Sequence, residues 1–325
     1  MNRLPAPRVS VVIPAYNAAE FVSDAVRSVL AQTLEATECI VVDDGSTDGT
    51  ASVVQGIVDP RIRLIRQENL GVSEARNAGA RVAVAGLLAF LDADDVWLPE
   101  KLERQLARFE KRADLVMVAT GYAITDADLA PLTVIESPRD PGYRRWGLVE
   151  GNGALLSSTA MIRRTAFQDV GGFRSSLSTS ADLDFGLRVT TRGPVEALGD
   201  PLVLYRTHPV QMHSILDAFE REATVVLDEH FHEQASDHRR GLANLHTRLF
   251  FYKLRGRRGW ARHVWIALRT RPARLAALPA EAMCRRIRRR LRHRRLLRSG
   301  WPAEQLAWRH DELPYVPRPG NEDQQ

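Results

Sequence analysis

The sequence predicts an α/β fold, a mostly parallel sheet flanked by helices, and two observations lead to this prediction. Short apolar runs typical of buried strands alternate with helical patterns between residues 9 and 93. Turns rich in glycine, serine and aspartate, such as "GSTDGT" at 45–50, separate these runs. Strands that alternate with helices normally pair in parallel, because each connecting helix packs on a face of the sheet.

The individual elements follow from apolar periodicity and from the residues that begin and end each pattern. Asn17 and Glu20 are spaced like a capping box and predict the start of the first helix. Residues 126–153, rich in proline, glycine and charge, predict a long loop. Strands are predicted at 9–16, 38–44, 62–67, 87–93, 115–122 and 157–164, with a strand–turn–strand unit at 195–206. Helices are predicted at 19–32, after residue 50, at 73–85, at 178–193 and, nearly continuously, at 214–298.

Charge is divided unevenly along the 325 residues. The segment 253–298 carries 17 Lys or Arg and one acid, so it contributes +16 to a total charge of +5 and leaves −11 elsewhere. A basic segment with helical apolar stripes suits an anionic membrane surface. Packing on the acidic body and the composition of an arginine-rich protein are alternatives. Nucleic-acid binding is a third, disfavoured because no recognised nucleic-acid module accompanies the segment.

Cysteine usage and the N-terminal segment predict a cellular location. Two cysteines far apart in sequence make no disulfide framework, and the first residues lack signal-peptide character. The longest apolar run, "VAVAGLLAFL", is too short to span a bilayer. We therefore expect a cytoplasmic protein, peripheral on the inner face of the cell membrane. The expected organisation is an α/β domain at 1–215, a basic helical extension at 216–298 and a tail at 299–325 with a disordered end.

Two acid clusters lie at the carboxyl ends of predicted strands, "VVDD" at 41–44 and "LDADD" at 91–95. In open α/β sheets, ligands bind beyond the carboxyl ends of the strands. Clustered carboxylate oxygens suit hard divalent ions such as Mg²⁺ or Mn²⁺, and Mg²⁺ shares its coordination shell with substrate phosphates. Each cluster has an alternative interpretation as an ordinary polar turn.

Four blocks at compatible spacing carry a family resemblance. They are "VSVVIPAYNAAEFVSDAVRSVLAQT", "CIVVDDGSTDGT", "ENLGVSEARNAGA" and "FLDADDVWLPEKL". Together they strongly resemble family-two glycosyltransferases of the GT-A (Rossmann-like) fold, over about residues 8 to 210. The resemblance implies an inverting, metal-dependent transferase of the hexosyltransferase type. Its donor would be a nucleotide-diphosphate sugar, with UDP preferred and dTDP and GDP open.

The resemblance also implies roles for single residues. The base that deprotonates the acceptor hydroxyl would be Asp182, although Ala181 stands where the family usually has Glu. The metal ligands implied by the DxD motif and a downstream Tyr-Arg-x-His stretch are Asp94, Asp92 and His208. Residues implied at the nucleotide-sugar are Pro14, Ala15, Tyr16, Asp43, Asp44, Asn69, Arg76, Asn77, Asp92 and Arg206.

Simpler interpretations stay open for several of these residues. Arg76 would suit an exposed helix surface, and Asp182 would suit the first turn of a helix, where the dipole favours an acid. Arg206 and His208 would suit a surface loop. The functional prediction is sugar transfer to a saccharide or lipid-linked acceptor, in surface polysaccharide or glycolipid synthesis. The rivals are a non-catalytic nucleotide-sugar-binding protein and a nucleic-acid binder that uses the basic segment.

Overall fold

A mixed sheet of nine strands forms the centre of the computed structural model, which describes residues 6–135, 137, 156–208 and 216–255. The strands are β1 (Val9–Ala15), β2 (Thr37–Asp44), β3 (Ile62–Gln67), β4 (Leu87–Phe90), β5 (Val96–Trp97), β6 (Met117–Thr125), β7 (Pro131–Ile135), β8 (Met161–Arg163) and β9 (Val195–Arg206). Their order across the sheet is β3-β2-β1-β4-β8-β6-β9-β5, and β7 pairs with β6. The predicted α/β fold is confirmed.

Eight α-helices accompany the strands in the described part of the chain, together with a 3₁₀ turn at Ser157–Thr159. The helices are α1 (Val22–Leu30), α2 (Thr50–Gln55), α3 (Val72–Val82), α4 (Lys101–Lys111), α5 (Arg164–Asp169), α6 (Ala181–Val189), α7 (Leu216–Phe231) and α8 (Ala235–Arg255).

The first half of the sheet is parallel, as the alternating pattern predicts. β1 pairs in parallel with both β2 and β4, and β2 pairs in parallel with β3. Every residue of β1 is buried, because helices cover both faces of a parallel sheet and leave no polar side to the strand. The register places Ala15 opposite Asp43, and Asp44 opposite Gln67. The acids that follow the strands therefore collect at one edge of the sheet.

The second half of the sheet departs from the predicted elements. β8 joins β4 and β6 through antiparallel ladders, while β9 runs parallel to β6 and antiparallel to β5. The predicted strand at 157–164 divides into the 3₁₀ turn and the short β8. The unit at 195–206 is one strand, because its expected turn is absorbed as register shifts against β6. The predicted loop at 126–153 contains β7, and its residues 138–153 lie outside the described residues.

The start of α1 differs from the predicted capping box. Asn17 has a positive φ of 48°, and its side-chain oxygen accepts the backbone N–H of Thr47 at 2.9 Å. The helix begins at Val22, five residues beyond Asn17, and its N-cap residue Phe21 makes no side-chain capping bond. Asn17 therefore ties the loop after β1 to the loop after β2, which a local sequence pattern does not reveal.

Close packing fixes α3 against β1. A Cβ added to Gly79 would lie 2.3 Å from a methyl carbon of Val12, so only glycine allows this approach. The contact sets the distance between the helix and the carboxyl edge of the sheet. Arg76, one turn earlier on α3, is thereby placed at that edge.

The helices after residue 215 pack on the same core as the sheet. The α7 residues Ala223, Val226, Leu227 and Phe231 are buried in that core, and Leu245 and Leu249 of α8 join them. No helix in the described residues is long and apolar enough to cross a membrane. The basic segment 253–298, beyond its first three residues, and the tail at 299–325 lie outside the described residues. The predicted boundary at residue 215 stays a prediction.

Candidate functional site

Three carboxylates follow β4, and their surroundings differ. Asp95 is fully buried, and its two oxygens accept the Ser158 hydroxyl at 2.6 Å and the backbone N–H of Arg206 at 3.1 Å. Burial, together with the charges of Asp94 and Asp92, raises the pKa of Asp95 well above its ordinary value. The side chains of Asp92 and Asp94 keep 30% and 27% of their surface exposed. Asp95 therefore holds the loop, and the other two remain accessible to a ligand.

Asp94 lies beside His208, as the metal-site prediction requires. The Asp94 Oδ2 and His208 Nε2 atoms are 3.0 Å apart, and the imidazole packs on Phe21 with ring centroids 4.7 Å apart. About 3.0 Å also separates neighbouring ligand atoms of an octahedral ion with bonds of ~2.1 Å. The spacing therefore fits a divalent cation held by one carboxylate and one imidazole.

Asp94 and His208 provide fewer ligands than a metal site made by protein side chains alone would need. In the ranges 6–135, 156–208 and 216–255, no group of three or more His, Cys, Asp or Glu side chains is arranged to hold a metal ion. Mg²⁺ typically uses one or two carboxylates and completes its shell with water and substrate phosphates. The side chains present thus suit a cation that binds together with a diphosphate, and the metal ligands stay a prediction.

Arg206 contacts the acidic loop after β4. Its buried guanidinium donates to the carbonyl oxygens of Asp94 at 2.9 Å and Ala127 at 2.7 Å, and to the Asp24 carboxylate at 2.7 Å. Arg206 also lies over the Phe21 ring. These contacts hold Arg206, the last residue of β9, against the acidic loop, so its observed role is to fix the position of that loop. The predicted contact with the nucleotide is not tested by them.

Arg76 joins the acidic loop to the predicted base. One guanidinium nitrogen lies 2.6 Å from Asp92 Oδ1, and the other lies 3.3 Å from Asp182 Oδ1. The residue is only 4% exposed, which rules out the surface-helix interpretation. Although burial lowers it, the two carboxylates raise the pKa of Arg76 above its ordinary value. A permanent positive charge therefore lies between Asp92 and Asp182.

Asp182 is held by a second partner, Ser157. The Ser157 backbone N–H donates to Asp182 Oδ2 at 2.9 Å, and the Ser157 hydroxyl donates to Oδ1. Burial raises the pKa of Asp182, the charge of Arg76 opposes this, and the charge of Asp92 adds to it; the net direction is upward. A carboxylate with a raised pKa, held in one orientation at the end of the sheet, is suited to accept a proton.

The two acids at the end of β2 are already hydrogen-bonded within the protein. Asp44 accepts the Gln67 side-chain amide at 2.7 Å and the backbone N–H groups of Leu70 at 3.0 Å and Gly71 at 2.9 Å. Asp43 accepts the backbone N–H of Ser46 at 2.9 Å and pairs with the Arg66 guanidinium at 2.9 Å. Both side chains thus shape the loops around the predicted base-binding region.

The remaining predicted nucleotide residues lie around the same strand ends. Pro14 and Ala15 are buried at the end of β1, while Tyr16 is 52% exposed beside them. Asn69 is exposed and lies against Gly45, where an added Cβ would come within 2.7 Å of the Asn69 nitrogen. The Asn77 amide donates to and accepts from the Phe173 backbone, so it holds the turn before α6.

Two adjacent serines that the sequence analysis did not select lie at the centre of the site. Ser157 contacts Asp182, and the Ser158 hydroxyl contacts Asp95 and accepts the backbone N–H of Asp92 at 3.1 Å. The pair of hydroxyls before the apolar residues of β8 was visible in the sequence. The sequence pattern predicts the start of a strand at these serines, because a local pattern does not show which carboxylates a turn faces.

Comparison with known proteins places this geometry in a family. The sequence model of "Glycosyl transferase family 2" matches residues 10–171. The chain is 42% identical over 141 residues to TuaG of Bacillus subtilis (strain 168), a glycosyltransferase provisionally named for teichuronic acid biosynthesis. It is 32% identical over 190 residues to chondroitin synthase of Escherichia coli. These matches cover 42% and 58% of this chain but only 56% and 27% of those proteins.

A solved structure shares the fold. The crystal structure of S. aureus TarS 1-349 in complex with UDP-GlcNAc has a TM-score of 0.62 to this chain at 18% identity. The match covers 73% of this chain and 72% of the TarS chain. At this level of identity the similarity shows only that the two chains have the same fold, and it confirms the predicted GT-A fold.

Proposed function

Because the chain belongs to glycosyl transferase family 2, we propose that it is an inverting glycosyltransferase that moves a sugar from a nucleotide-diphosphate donor to a hydroxyl acceptor. One observation carries the proposal. The guanidinium of Arg76 holds the carboxylates of Asp92 and Asp182 together, so a solvent-accessible acid of the loop after β4 and a base of raised pKa share one site. Sugar transfer needs both carboxylates at one place, because Asp92 would face the donor and its cation while Asp182 would deprotonate the acceptor hydroxyl.

In the proposed reaction, Asp182 takes the proton of the acceptor hydroxyl. The hydroxyl oxygen then forms a bond to the anomeric carbon as the bond from that carbon to the diphosphate breaks. The electron pair leaves with the diphosphate, and attack from the opposite face inverts the anomeric centre. Ser157 and Arg76 keep the Asp182 carboxylate in place during the transfer.

Asp94, His208 and Asp92 would hold a Mg²⁺ or Mn²⁺ ion that arrives with the donor. The chemistry that such a cation supplies is neutralisation of the charge on the departing diphosphate. The 3.0 Å separation of the Asp94 and His208 ligand atoms supports this part of the proposal.

UDP is the donor nucleotide that we prefer, with Pro14, Ala15 and Tyr16 flanking the base and the loops held by Asp43 and Asp44 near its polar edge. TarS, which shares the fold, was crystallised with UDP-GlcNAc. Relatives named for teichuronic acid and chondroitin synthesis support a saccharide or lipid-linked acceptor in surface polysaccharide synthesis. We further propose that the segment 253–298 holds the enzyme on an anionic membrane surface.

The non-catalytic alternative rested on Ala181, where the family usually has Glu. Ala181 is buried in the apolar core at the first position of α6. An ionised side chain there would be costly to bury, so the absence of the acid fits its surroundings. Asp182 keeps its two partners without it, and we therefore favour the enzyme over a nucleotide-sugar-binding protein.

The test is a donor screen. UDP-, dTDP- and GDP-sugars are incubated with the enzyme, Mn²⁺ and saccharide acceptors, and the release of nucleoside diphosphate and the anomeric configuration of the product are measured. We expect one donor class to be turned over with inversion. A donor that raises the thermal midpoint, yet is neither transferred nor hydrolysed under any condition, would establish the binding protein instead.

A further inference from the structure

The N-terminus of α6, which carries Asp182, is capped from outside the helix. Ser180 is the N-cap residue, but its side chain makes no capping bond, and its hydroxyl is buried without a hydrogen-bond partner in the described part of the chain. A capping box would need Glu or Gln at the third helical position to reach back to the Ser180 N–H. That position is Leu183, so the helix has no such cap of its own.

Glu222 of α7 supplies the missing carboxylate. Its Oε2 accepts the backbone N–H groups of Ser180 at 2.9 Å and Ser178 at 3.0 Å, and its Oε1 accepts the Ser178 hydroxyl at 2.8 Å. Although burial raises it, these hydrogen bonds lower the pKa of Glu222, so the group is ionised at neutral pH. A negative charge at a helix N-terminus is also favoured by the helix dipole.

The position of Glu222 is fixed by packing. The next residue, Ala223, and then Val226 and Leu227 are buried in the core that also contains Phe185 of α6. His230, two turns further along α7, contacts the buried Asp184 carboxylate at 3.1 Å. α7 is thus attached to α6 at two points, on either side of Asp182.

We propose that Glu222 is a positioning residue of the transfer reaction, which holds the segment Ser178–Ser180 so that Asp182 keeps its contacts with Ser157 and Arg76. This inference rests on the proposed function, in which Asp182 is the base. It assigns α7 to the catalytic unit, although α7 lies beyond the residues matched by the family model. Only one residue, Ala181, separates the capped Ser180 from Asp182, so a displaced segment displaces the carboxylate.

The test compares Glu222→Ala with Asp228→Ala. Asp228 is an exposed acid of the same helix that contacts His238 on α8, and no described contact joins it to α6. Glu222→Ala should lower kcat roughly 10–100-fold, the scale of a small misplacement of a catalytic group, with donor affinity and KM for the donor unchanged. Asp228→Ala should keep the wild-type kcat. Glu222→Gln, whose carbonyl oxygen still accepts the two N–H groups, should recover most of the lost turnover.

Hydrogen exchange provides a second readout that does not depend on activity. In Glu222→Ala, the amides of residues 178–186 should exchange faster than in the wild type, and in Asp228→Ala they should not. Unchanged kcat in Glu222→Ala, or equal losses in both alanine variants, would overturn the proposal. If the wild-type chain turns over no donor, the proposed function fails. Exchange then decides separately whether Glu222 holds the segment, and unchanged exchange overturns that claim.

Discussion

The two acids at the end of β2 and the acids that follow β4 lie at the same edge of the sheet and differ in their hydrogen-bond partners. Asp43 and Asp44 are buried, and their oxygens accept hydrogen bonds from backbone N–H groups of neighbouring loops and from the β3 side chains Arg66 and Gln67. Asp92 is paired with the Arg76 side chain and Asp94 with the His208 side chain, and more than a quarter of each carboxylate-bearing side chain remains exposed.

Backbone donors cannot move away without breaking the loop, so the β2 acids are committed to structure. Side-chain partners can rearrange around a ligand, so the β4 acids can exchange one partner for another. We therefore expect the two acidic stretches to serve different purposes, because backbone N–H groups donate to Asp43 and Asp44 while side chains contact the Asp92 and Asp94 carboxylates. The comparison predicts that substitution of the acids after β4 lowers turnover, whereas substitution of the acids at the end of β2 lowers stability.

The largest effect is expected for Asp182→Asn, since Asp182 shares Arg76 with the β4 acids. The amide keeps the size of the side chain but cannot accept a proton, so transfer should fall roughly 10²–10⁴-fold. Donor affinity, measured by calorimetry, should stay close to the wild-type value. A collapse of donor affinity would show that Asp182 faces the nucleotide and that the base lies elsewhere.

Asp94→Asn should come next in size. It removes the charge that would attract the cation and leaves the fold intact, because the Asp94 side chain is partly exposed. Turnover should be lost at low Mn²⁺ and return in part as Mn²⁺ is increased. Full transfer activity at low Mn²⁺ would contradict the metal assignment, and an unchanged thermal midpoint serves as the control for folding.

Asp44→Ala tests the other side of the comparison. Removal of the carboxylate leaves the N–H groups of Leu70 and Gly71 without their partner, at the cost of about 1–2 kcal/mol of unfolding free energy. Urea denaturation measures this loss. If nucleotide affinity disappeared while the midpoint stayed the same, Asp44 would be a ligand-binding acid and the comparison would fail.

The smallest expected effect is a shift of the pH profile in Ser157→Ala. The base must be ionised, so kcat falls as pH decreases through the pKa of Asp182, which is already raised by burial. The hydrogen bonds from Ser157 oppose that rise, so loss of the hydroxyl moves the acid limb to higher pH. An unmoved limb in kcat–pH measurements would indicate a different base.

Much of the fold could be predicted from the sequence, and less of the site. The boundaries of β1, β2 and β3 are nearly those predicted, because β1 and β2 are buried apolar runs with sharp ends and β3 has partly buried residues around two exposed arginines. The second half of the sheet was harder, since β5, β7 and β8 are short and are fixed by pairing with distant strands. Asn77 is predicted from a motif, yet its partner Phe173 lies 96 residues away.

The sequence by itself determined the order of strands and helices from β1 to β4, the edge of the sheet where acids collect and the family to which the chain belongs. These follow from local periodicity, from short motifs and from the rule that parallel strands end at one edge. Only the tertiary structure decided that Arg76 joins Asp92 to Asp182 and that Glu222 caps the helix that carries Asp182. Those contacts join residues 16, 106 and 42 positions apart. No local pattern encodes them, because crossovers and helix packing set which distant side chains meet.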